Sequence, residues 1–195
     1  MTALDLVAED SVDTSEAIRA ARRLLRSLGV DVDAPDLRDT PRRMVASLSE
    51  LLTPREFRAT TFANDEGYDE MVLARSIPFS SLCEHHVLPF VGVAHVGYLP
   101  GERILGLSKL ARVVEHFARG LQVQERLTVQ IANWLDATLA PRGVGVVLEA
   151  EHLCMSIRGV RSTGSRTLTS RVTGTLRADP RARQEFFALC ASGSA

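Results

Sequence analysis

Two short segments hold most of the residues of this chain that could do chemistry. The first is residues 83–86 (CEHH), and the second, about seventy residues later, is residues 152–154 (HLC). Cysteine thiolates and imidazoles form the ligand set that Zn²⁺ binds with tetrahedral geometry. Cys83 and His86 are close enough to reach one ion from a single turn, and Cys154 would complete a set of three. Three protein ligands with one open position are typical of catalytic zinc, which activates a water molecule.

The same residues allow two other interpretations. If Cys154 lies on a strand, His152 points to the same face, and both could join Cys83 and His86 in a closed structural site without catalysis. Alternatively, the two cysteines are free thiols that pack as small apolar groups. Adjacent histidines beside a cysteine need a polar partner, which argues against that arrangement. The residue types leave catalytic and structural zinc equally open.

A candidate anion-binding element lies between the two metal segments. Ser108 is predicted to cap the N-terminus of a helix, where backbone N–H groups are free to meet an anion. Lys109 and Arg112 lie three residues apart on one helix face. Arg158, four residues after Cys154, would join them from the metal-bearing side. A capped helix with a solvated basic face accounts for the same residues without any ligand.

The next predicted helix opens with residues 124–126 (QER). A carboxylate near a helix N-terminus usually just complements the helix dipole, which is the ordinary role for Glu125. The functional alternative is a buried glutamate that accepts two hydrogen bonds from a guanine-type N–H and NH₂ edge. We interpret His95 as a satisfied sheet histidine, His116 as a helix-surface histidine and Cys190 as a packed side chain.

Composition narrows the class of protein. The 195 residues suffice for one domain with a real core, and 45% hydrophobic with 24% charged residues is ordinary for a globular protein. A net charge of −1 offers no bulk attraction for nucleic acid or an anionic membrane, so we expect neither as a partner. Three cysteines make no disulfide framework, and reduced thiols for a metal fit a cytoplasmic location. Residues 1–11 lack the pattern of a signal peptide, and no run approaches the ~18 apolar residues of a membrane span.

Hydrophobic periodicity predicts the elements that must position these residues. Helices are predicted over residues 16–28 (with Gly29 as C-cap), from residue 40, and over residues 108–119, 124–139 and 180–190. Strands are predicted over residues 71–79, 87–98, 144–151 and 167–177. Two strands, two helices and two strands in that order predict an α+β class, with a four-stranded antiparallel sheet and helices on one face. Its open edges are commonly covered by another subunit, so we expect an oligomer.

Residues 81–90 (SLCEHHVLPF) resemble the zinc motif of the GTP cyclohydrolase I family. Further motifs of that family are matched in the same order by residues 40–43 (TPRR), 106–109 (GLSK), 122–128 (QVQERLT), 152–155 (HLCM) and 158–160 (RGV). The resemblance implies a tunnelling fold, with an N-terminal helical segment at residues 1–70 and the catalytic domain at residues 71–195. It also implies subunits joined edge to edge in a ring, typically a decamer, with active sites at subunit boundaries.

The resemblance further implies a zinc-dependent reaction that converts GTP and water to 7,8-dihydroneopterin triphosphate and formate. Its zinc ligands would be Cys83, His86 and Cys154. The implied catalytic residues are His152, which protonates the purine N7, and His85 and Ser108, which move protons around the ribose. The implied guanine anchor is Glu125 with Gln124 nearby. The implied triphosphate ligands are Lys109, Arg112, Arg158 and, from a neighbouring subunit, Arg43.

Two departures from the family pattern bear on packing more than on chemistry. The family often has two arginines where this chain has Arg119 and Gly120, and a bulky aromatic residue at the position of Leu176. Two other functions share the fold or the metal. One is a tunnelling-fold nitrile reductase acting on a deazapurine, which uses a cysteine nucleophile and needs no zinc. The other is a non-catalytic homologue that is kept as a zinc-stabilised oligomer.

Overall fold

The computed structural model describes residues 13–192. The segment in which no signal peptide is predicted, residues 1–11, lies outside the described residues. The chain divides into two compact units, one ending at Glu50 and the other beginning at Leu51. The division predicted between residues 70 and 71 stays a prediction.

The chain forms seven helices and seven strands over the described residues. The helices are α1 (Thr14–Ser27), α2 (Thr40–Leu52), α3 (Ser108–Ala118), α4 (Gln124–Leu139), α5 (Leu153–Ser156), α6 (Gly174–Ala178) and α7 (Pro180–Ala191). The strands are β1 (Thr61–Ala63), β2 (Val72–Cys83), β3 (Pro89–Leu99), β4 (Arg103–Leu105), β5 (Leu121–Gln122), β6 (Gly143–His152) and β7 (Thr167–Val172). No helix within residues 13–192 is both long and apolar enough to cross a lipid bilayer.

The main sheet has five strands in the order β5-β2-β3-β6-β7, and a separate pair joins β1 to β4. The three central pairings of the main sheet are antiparallel, and only the short contact of β2 with β5 is parallel. The register of β3 and β6 places Phe90 opposite His152 at one end and Leu99 opposite Gly143 at the other. The predicted four-stranded antiparallel sheet is confirmed. The fifth strand escaped prediction because two residues are too few to show a period.

The main core lies between one face of the sheet and the helices α3 and α4. Alternate residues of β6 point to these helices and are fully buried, as the period of two in a strand requires: Val144, Val146, Leu148 and Ala150. On the opposite face, Val147 packs with Phe186 and Cys190 of α7. The α+β class is therefore confirmed, with two long helices on one face and the C-terminal helix against part of the other.

Two local predictions are wrong. Ser108 is the first helical residue of α3 and not its cap, because Leu107 before it already has right-handed helical dihedrals and no side chain caps the helix. The last predicted strand ends at Val172 instead of residue 177, because Gly174 adopts a φ of 51° and turns the chain into α6. Glycine is required at that position, since an added Cβ would lie 2.2 Å from the carbonyl oxygen of Arg142.

In the first unit, α1 begins two residues before its predicted start and ends, as predicted, just before Gly29. Asp13 accepts a hydrogen bond of 2.9 Å from the backbone N–H of Glu16 and so caps the helix. Hydrogen bonds from Arg23 and Arg19 lower the pKa of Glu16 below its usual value. Gly29 follows the helix with a φ of 84°, the left-handed conformation that a glycine after a helix C-terminus provides.

His95 differs from its prediction as a satisfied sheet histidine. It lies on β3 opposite Val147, is 7% exposed, and its Nδ1 has no hydrogen-bond partner among the described residues. Burial lowers the pKa of His95, the positive charge of Arg75 lowers it further, and Glu149 opposes both effects. The pattern of alternating residues placed His95 on the correct strand but could not show which groups face it.

We expect the substitution His95→Leu to remove part of the acid sensitivity of the fold. Because the pKa of His95 is lowered on folding, the unfolded chain takes up a proton that the folded chain resists, so stability is lost as pH falls below about 6.5. The unpaired Nδ1 of His95 destabilises the wild-type fold by about 1 kcal/mol or more, and leucine removes that cost. Melting temperatures at pH 7.5 and 6.0 should lie closer together in the variant than in the wild type. An unchanged gap would contradict the prediction.

Candidate metal centre and active site

The metal segment is a tight turn at the end of β2. The turn is closed by hydrogen bonds from the backbone N–H of Val87 to the carbonyl of Cys83 (2.8 Å) and from the N–H of Cys83 to the carbonyl of Leu88 (2.9 Å). Val87 has a φ of 53°, a left-handed conformation that costs a β-branched residue about 1–3 kcal/mol. The turn is therefore held in a conformation that its own sequence disfavours, as is common in functional sites.

Three predicted ligands come together at this turn. One ligand atom each of Cys83, His86 and Cys154 lies within 4.8 Å of the others, and Cys83 Sγ is 3.8 Å from His86 Nδ1. Ligand atoms in a tetrahedral zinc site are about 3.5 Å apart, given Zn–S and Zn–N bonds of about 2.0–2.3 Å. Both thiols are buried and the imidazole is exposed. The donor set and its spacing fit a zinc ion with one side open.

The condition for a closed site with four protein ligands is not met. Cys154 lies on the short helix α5, and not on a strand, so His152 at the end of β6 does not share its direction. Within the described part of the chain, the group of side chains able to hold a metal contains Cys154 without His152. The sequence could not reveal α5, because a four-residue helix is too short to show a helical period.

Burial and the adjacent thiol of Cys83 both raise the pKa of Cys154, while the guanidinium of Arg158 opposes them. The backbone carbonyl of Cys154 also accepts a hydrogen bond of 3.0 Å from Arg158 Nη1. The metal-free thiol therefore keeps its proton at neutral pH. A metal that binds here must displace that proton, so its affinity falls as the pH is lowered.

The side chain of His152 is fixed on two sides. Its ring stacks on the ring of Phe90, with centroids 4.7 Å apart and planes 2° from parallel. Its Nε2 lies 2.8 Å from Oε1 of Gln124, a fully buried residue at the start of α4. Burial lowers the pKa of His152, and the carboxylate of Glu125 opposes that shift. The structure thus brings together His152 and Gln124, which the sequence places 28 residues apart.

An ion pair that the sequence did not reveal ties the metal turn to α4. Arg126 Nη2 lies 2.5 Å from Oε2 of Glu84, and Arg126 Nε lies 3.0 Å from Oε1 of Gln122. The backbone N–H of Glu84 also bonds to the carbonyl of Gln122 (3.0 Å), which belongs to β5. Glu84 follows Cys83 and Arg126 follows Glu125 in the sequence. This position next to predicted site residues was the only sign that the two side chains matter to the site.

The predicted anion-binding residues occupy the start of α3 and the segment after α5. Ser108 is exposed and Lys109 is half-buried. Arg112 is exposed and directs Nη1 to Oε2 of Glu115 at 3.2 Å, an i,i+3 pair on the helix surface. Arg158 is exposed apart from its bond to Cys154. Exposed ion pairs of this kind are weak, so the guanidinium of Arg112 can readily exchange Glu115 for a phosphate.

The remaining predicted site residues lie at exposed positions. His85 has an exposed side chain whose Nδ1 is 3.8 Å from Cys83 Sγ. Glu125 is exposed in the first turn of α4, in contrast to the buried glutamate that the sequence suggested, because its side chain leaves the helix on the side away from the core. Arg43 belongs to the first unit, where its Nη1 lies 3.8 Å from Oδ2 of Asp39 and its Nη2 lies 3.3 Å from Oγ1 of Thr40.

Comparison with known proteins gives a consistent result. The sequence model of the family described as GTP cyclohydrolase I matches residues 17–191. A protein of Sinorhizobium fredii named GTP cyclohydrolase 1 is 49% identical over 179 residues, covering 89% of this chain and 87% of the relative. Relatives with the same name in a Synechococcus species and in Aquifex aeolicus are 51% and 48% identical, over 88% and 92% of this chain and 77% and 97% of their own lengths.

The match to the family model includes both metal segments and the helices α3 and α4. Because the family model spans most of the sequence and the relatives share about half of their residues with it, the chain belongs to the GTP cyclohydrolase I family.

Proposed function

We propose that Cys83, His86 and Cys154 bind the zinc ion with which this chain converts GTP to 7,8-dihydroneopterin triphosphate and formate. The observation that carries the proposal is the convergence of these three ligand atoms within 4.8 Å, in a member of this family. A zinc ion held there would supply a Lewis acid, which lowers the pKa of a bound water molecule to about 7.

Two histidines and a serine supply the proton transfers. His152 protonates N7 of the purine as the ring opens, and its fixed ring orientation supports this role. His85, next to the metal ligand Cys83, and Ser108, at the start of α3, serve the later proton transfers around the ribose. His85 and Ser108 have exposed side chains that a substrate can contact.

The substrate is held at its two ends. The carboxylate of Glu125, in the first turn of α4 and close enough to His152 to influence its pKa, accepts the N–H and NH₂ edge of guanine, with Gln124 beside it. The cationic side chains bind the triphosphate at the other end: Lys109, Arg112, Arg158 and, from a neighbouring subunit, Arg43. Guanidinium groups suit this task because they bind phosphate oxygens in a bidentate manner.

The functional assembly is a ring of subunits, which we propose to be a decamer with active sites at subunit boundaries. Beyond its two residues paired with β5, the outer edge of β2 has no strand partner within residues 13–192, and neither has the outer edge of β7. Such edges invite pairing with another subunit. The reduced thiols of the metal centre support a cytoplasmic location.

The two alternative functions fit the site less well. A nitrile reductase needs a free nucleophilic cysteine, whereas Cys83 stands beside a second thiol and an imidazole in a metal-type cluster. A non-catalytic, zinc-stabilised oligomer has no use for a histidine that is stacked and hydrogen-bonded beside the metal ligands, as His152 is.

Incubation of the zinc-loaded protein with GTP labelled at C8 tests the proposed function. We expect labelled formate and, after mild oxidation, a fluorescent pterin in equal amounts, and neither product from protein stripped of metal by a chelator. Formate without pterin would mean that ring opening occurs without rearrangement, against the roles of His85 and Ser108. Neither product from zinc-bound protein would favour the non-catalytic homologue.

A further inference from the structure

The side chain of Gln124 is engaged in hydrogen bonds inside its own chain. Its Nε2 lies 3.1 Å from the carbonyl oxygen of Leu148, 2.9 Å from the carbonyl oxygen of Thr167 and 3.1 Å from Oγ1 of Thr169. Its Oε1 faces Nε2 of His152 at 2.8 Å. Gln124 is 1% exposed, so these bonds are made away from bulk water, where each one is costly to leave unmade.

These partners determine which end of the amide is nitrogen. The two carbonyl oxygens, of Leu148 and Thr167, can only accept hydrogen bonds, so the amide atom that faces them must be the NH₂ group. A reversed amide would place its oxygen against both carbonyl oxygens. The atom that faces His152 is therefore the carbonyl oxygen of Gln124, and that oxygen can only accept.

Two threonine hydroxyls form a ring of hydrogen bonds with the same residue. Thr128 donates its hydroxyl hydrogen to the backbone carbonyl of Gln124 at 2.7 Å, and its oxygen lies 2.7 Å from Oγ1 of Thr169. Since the hydrogen of Thr128 is already used, Thr169 is the donor between them. Thr169 then has a lone pair free for the NH₂ group of Gln124. The NH₂ group of Gln124 has three acceptors within reach for its two hydrogens, and the carbonyl oxygens of Leu148 and Thr167 alone suffice to fix its orientation.

We infer that Gln124 is a positioning residue that holds His152 in the tautomer with hydrogen on Nε2, so that Nδ1 is the ring atom that exchanges a proton with the substrate. The oxygen of Gln124 accepts only, so the 2.8 Å contact requires a hydrogen on His152 Nε2. Stacking on Phe90 fixes the plane of the ring, and a flip within that plane would place a carbon where Nε2 meets Gln124 and so lose the hydrogen bond. The inference deepens the proposed function and rests on its assignment of a proton transfer to His152.

The substitution Gln124→Met tests this role, because methionine has a similar shape but cannot accept the hydrogen bond from His152. We expect kcat to fall roughly 100-fold, the scale of a lost acid–base contribution, with KM for GTP changed less than about threefold. The matched control is Thr169→Val, which removes a half-buried partner of the same amide and should leave kcat within about threefold.

A spectroscopic measurement separates positioning from a general structural loss. Magic-angle-spinning NMR of the zinc-loaded protein, labelled with ¹⁵N in histidine, reports the tautomer directly, and the signal of His152 is identified by its absence in His152→Gln. We expect hydrogen on Nε2 in the wild type and in Thr169→Val, and a mixture in Gln124→Met. A wild-type signal with hydrogen on Nδ1, or a rise in KM for Gln124→Met without a fall in kcat, would overturn the inference.

The two proposals fail in different ways. If the wild-type protein forms neither formate nor pterin, the proposed function fails, whatever the tautomer of His152. If the wild type forms both products and Gln124→Met retains the wild-type kcat, the proposed function stands and the positioning role of Gln124 fails.

Discussion

We expect the variant Cys83→Ala to lose both bound zinc and the ability to release formate from GTP. Cys83 is one of the three proposed ligands, so alanine leaves one imidazole and one thiolate, which cannot hold the ion against water. Mutation of residues that only hydrogen-bond to metal ligands typically lowers metal affinity about 10–100-fold. We therefore expect loss of a ligand itself to lower zinc affinity by more than about 100-fold. Zinc content by atomic emission after dialysis and labelled formate from GTP measure the two effects.

The remaining cysteine offers a control of the same chemical type. Cys190 lies on α7, packed in the second core cluster, and burial raises the pKa of its thiol to about 11. Cys190→Ala should therefore keep full zinc content and turnover and show only the modest loss of stability that a small buried side chain causes. A Cys83→Ala protein that has lost its metal but still turns over GTP would disprove the zinc-dependent mechanism.

The variant Gly92→Ala should be strongly destabilised. Gly92 lies on β3 opposite Ala150 of β6, and an added Cβ would lie 2.0 Å from the carbonyl oxygen of Glu149 and 2.7 Å from the Cα of Ala150. Both are backbone atoms, so relief requires the two strands to move apart. We expect destabilisation of about 3 kcal/mol, the upper end of the range for overpacking, because the backbone atoms around this Cβ cannot give way singly.

The effect would also reach the active site. Phe90 and its partner His152 stand two residues along the same pair of strands, so separation of β3 and β6 moves His152 and the helix that bears Cys154 away from Cys83. Soluble yield and melting temperature measure the loss. Gly106→Ala is the control, since its Cβ would have an ordinary contact of 3.5 Å with the carbonyl oxygen of Thr60. Gly92→Ala protein that melts within a few degrees of the wild type would contradict the expectation.

Much of the fold was predictable because its elements are long enough to show their periods. The helix α4 has the predicted bounds, residues 124–139, since its apolar stripe runs over four turns. The strands β3 and β6 were placed correctly for the same reason, whereas β2 runs to Cys83, four residues beyond its predicted end. The approach of Cys83 to His86 was predictable too, because a cysteine and a histidine at this close spacing are typical of a metal-binding turn.

Other features depend on contacts between distant residues, and no local pattern encodes them. The strand-like sequence pattern that begins at Thr167 continues past Val172, where β7 ends. The chain turns at Gly174, which lies so close to the carbonyl oxygen of Arg142 that no side chain fits. The exposure of Glu125 and the burial of Gln124 depend on which way α4 faces the sheet. The bond from Gln124 to His152 depends on the register that β3 imposes on β6, and a single sequence does not specify that register.

The position of Cys154 after β6 has a consequence for synthesis. The hairpin of β2 and β3 contains Cys83 and His86 and can pair as soon as both strands have left the ribosome, because its partners are local. Cys154, the third proposed ligand, follows about seventy residues later. At typical elongation rates it is synthesised roughly 4–14 s after Cys83. During that interval the nascent chain carries a thiol and an imidazole without their partner, and β3 exposes the edge that β6 will cover. Stable metal loading is therefore an event that follows translation of residues 143–154.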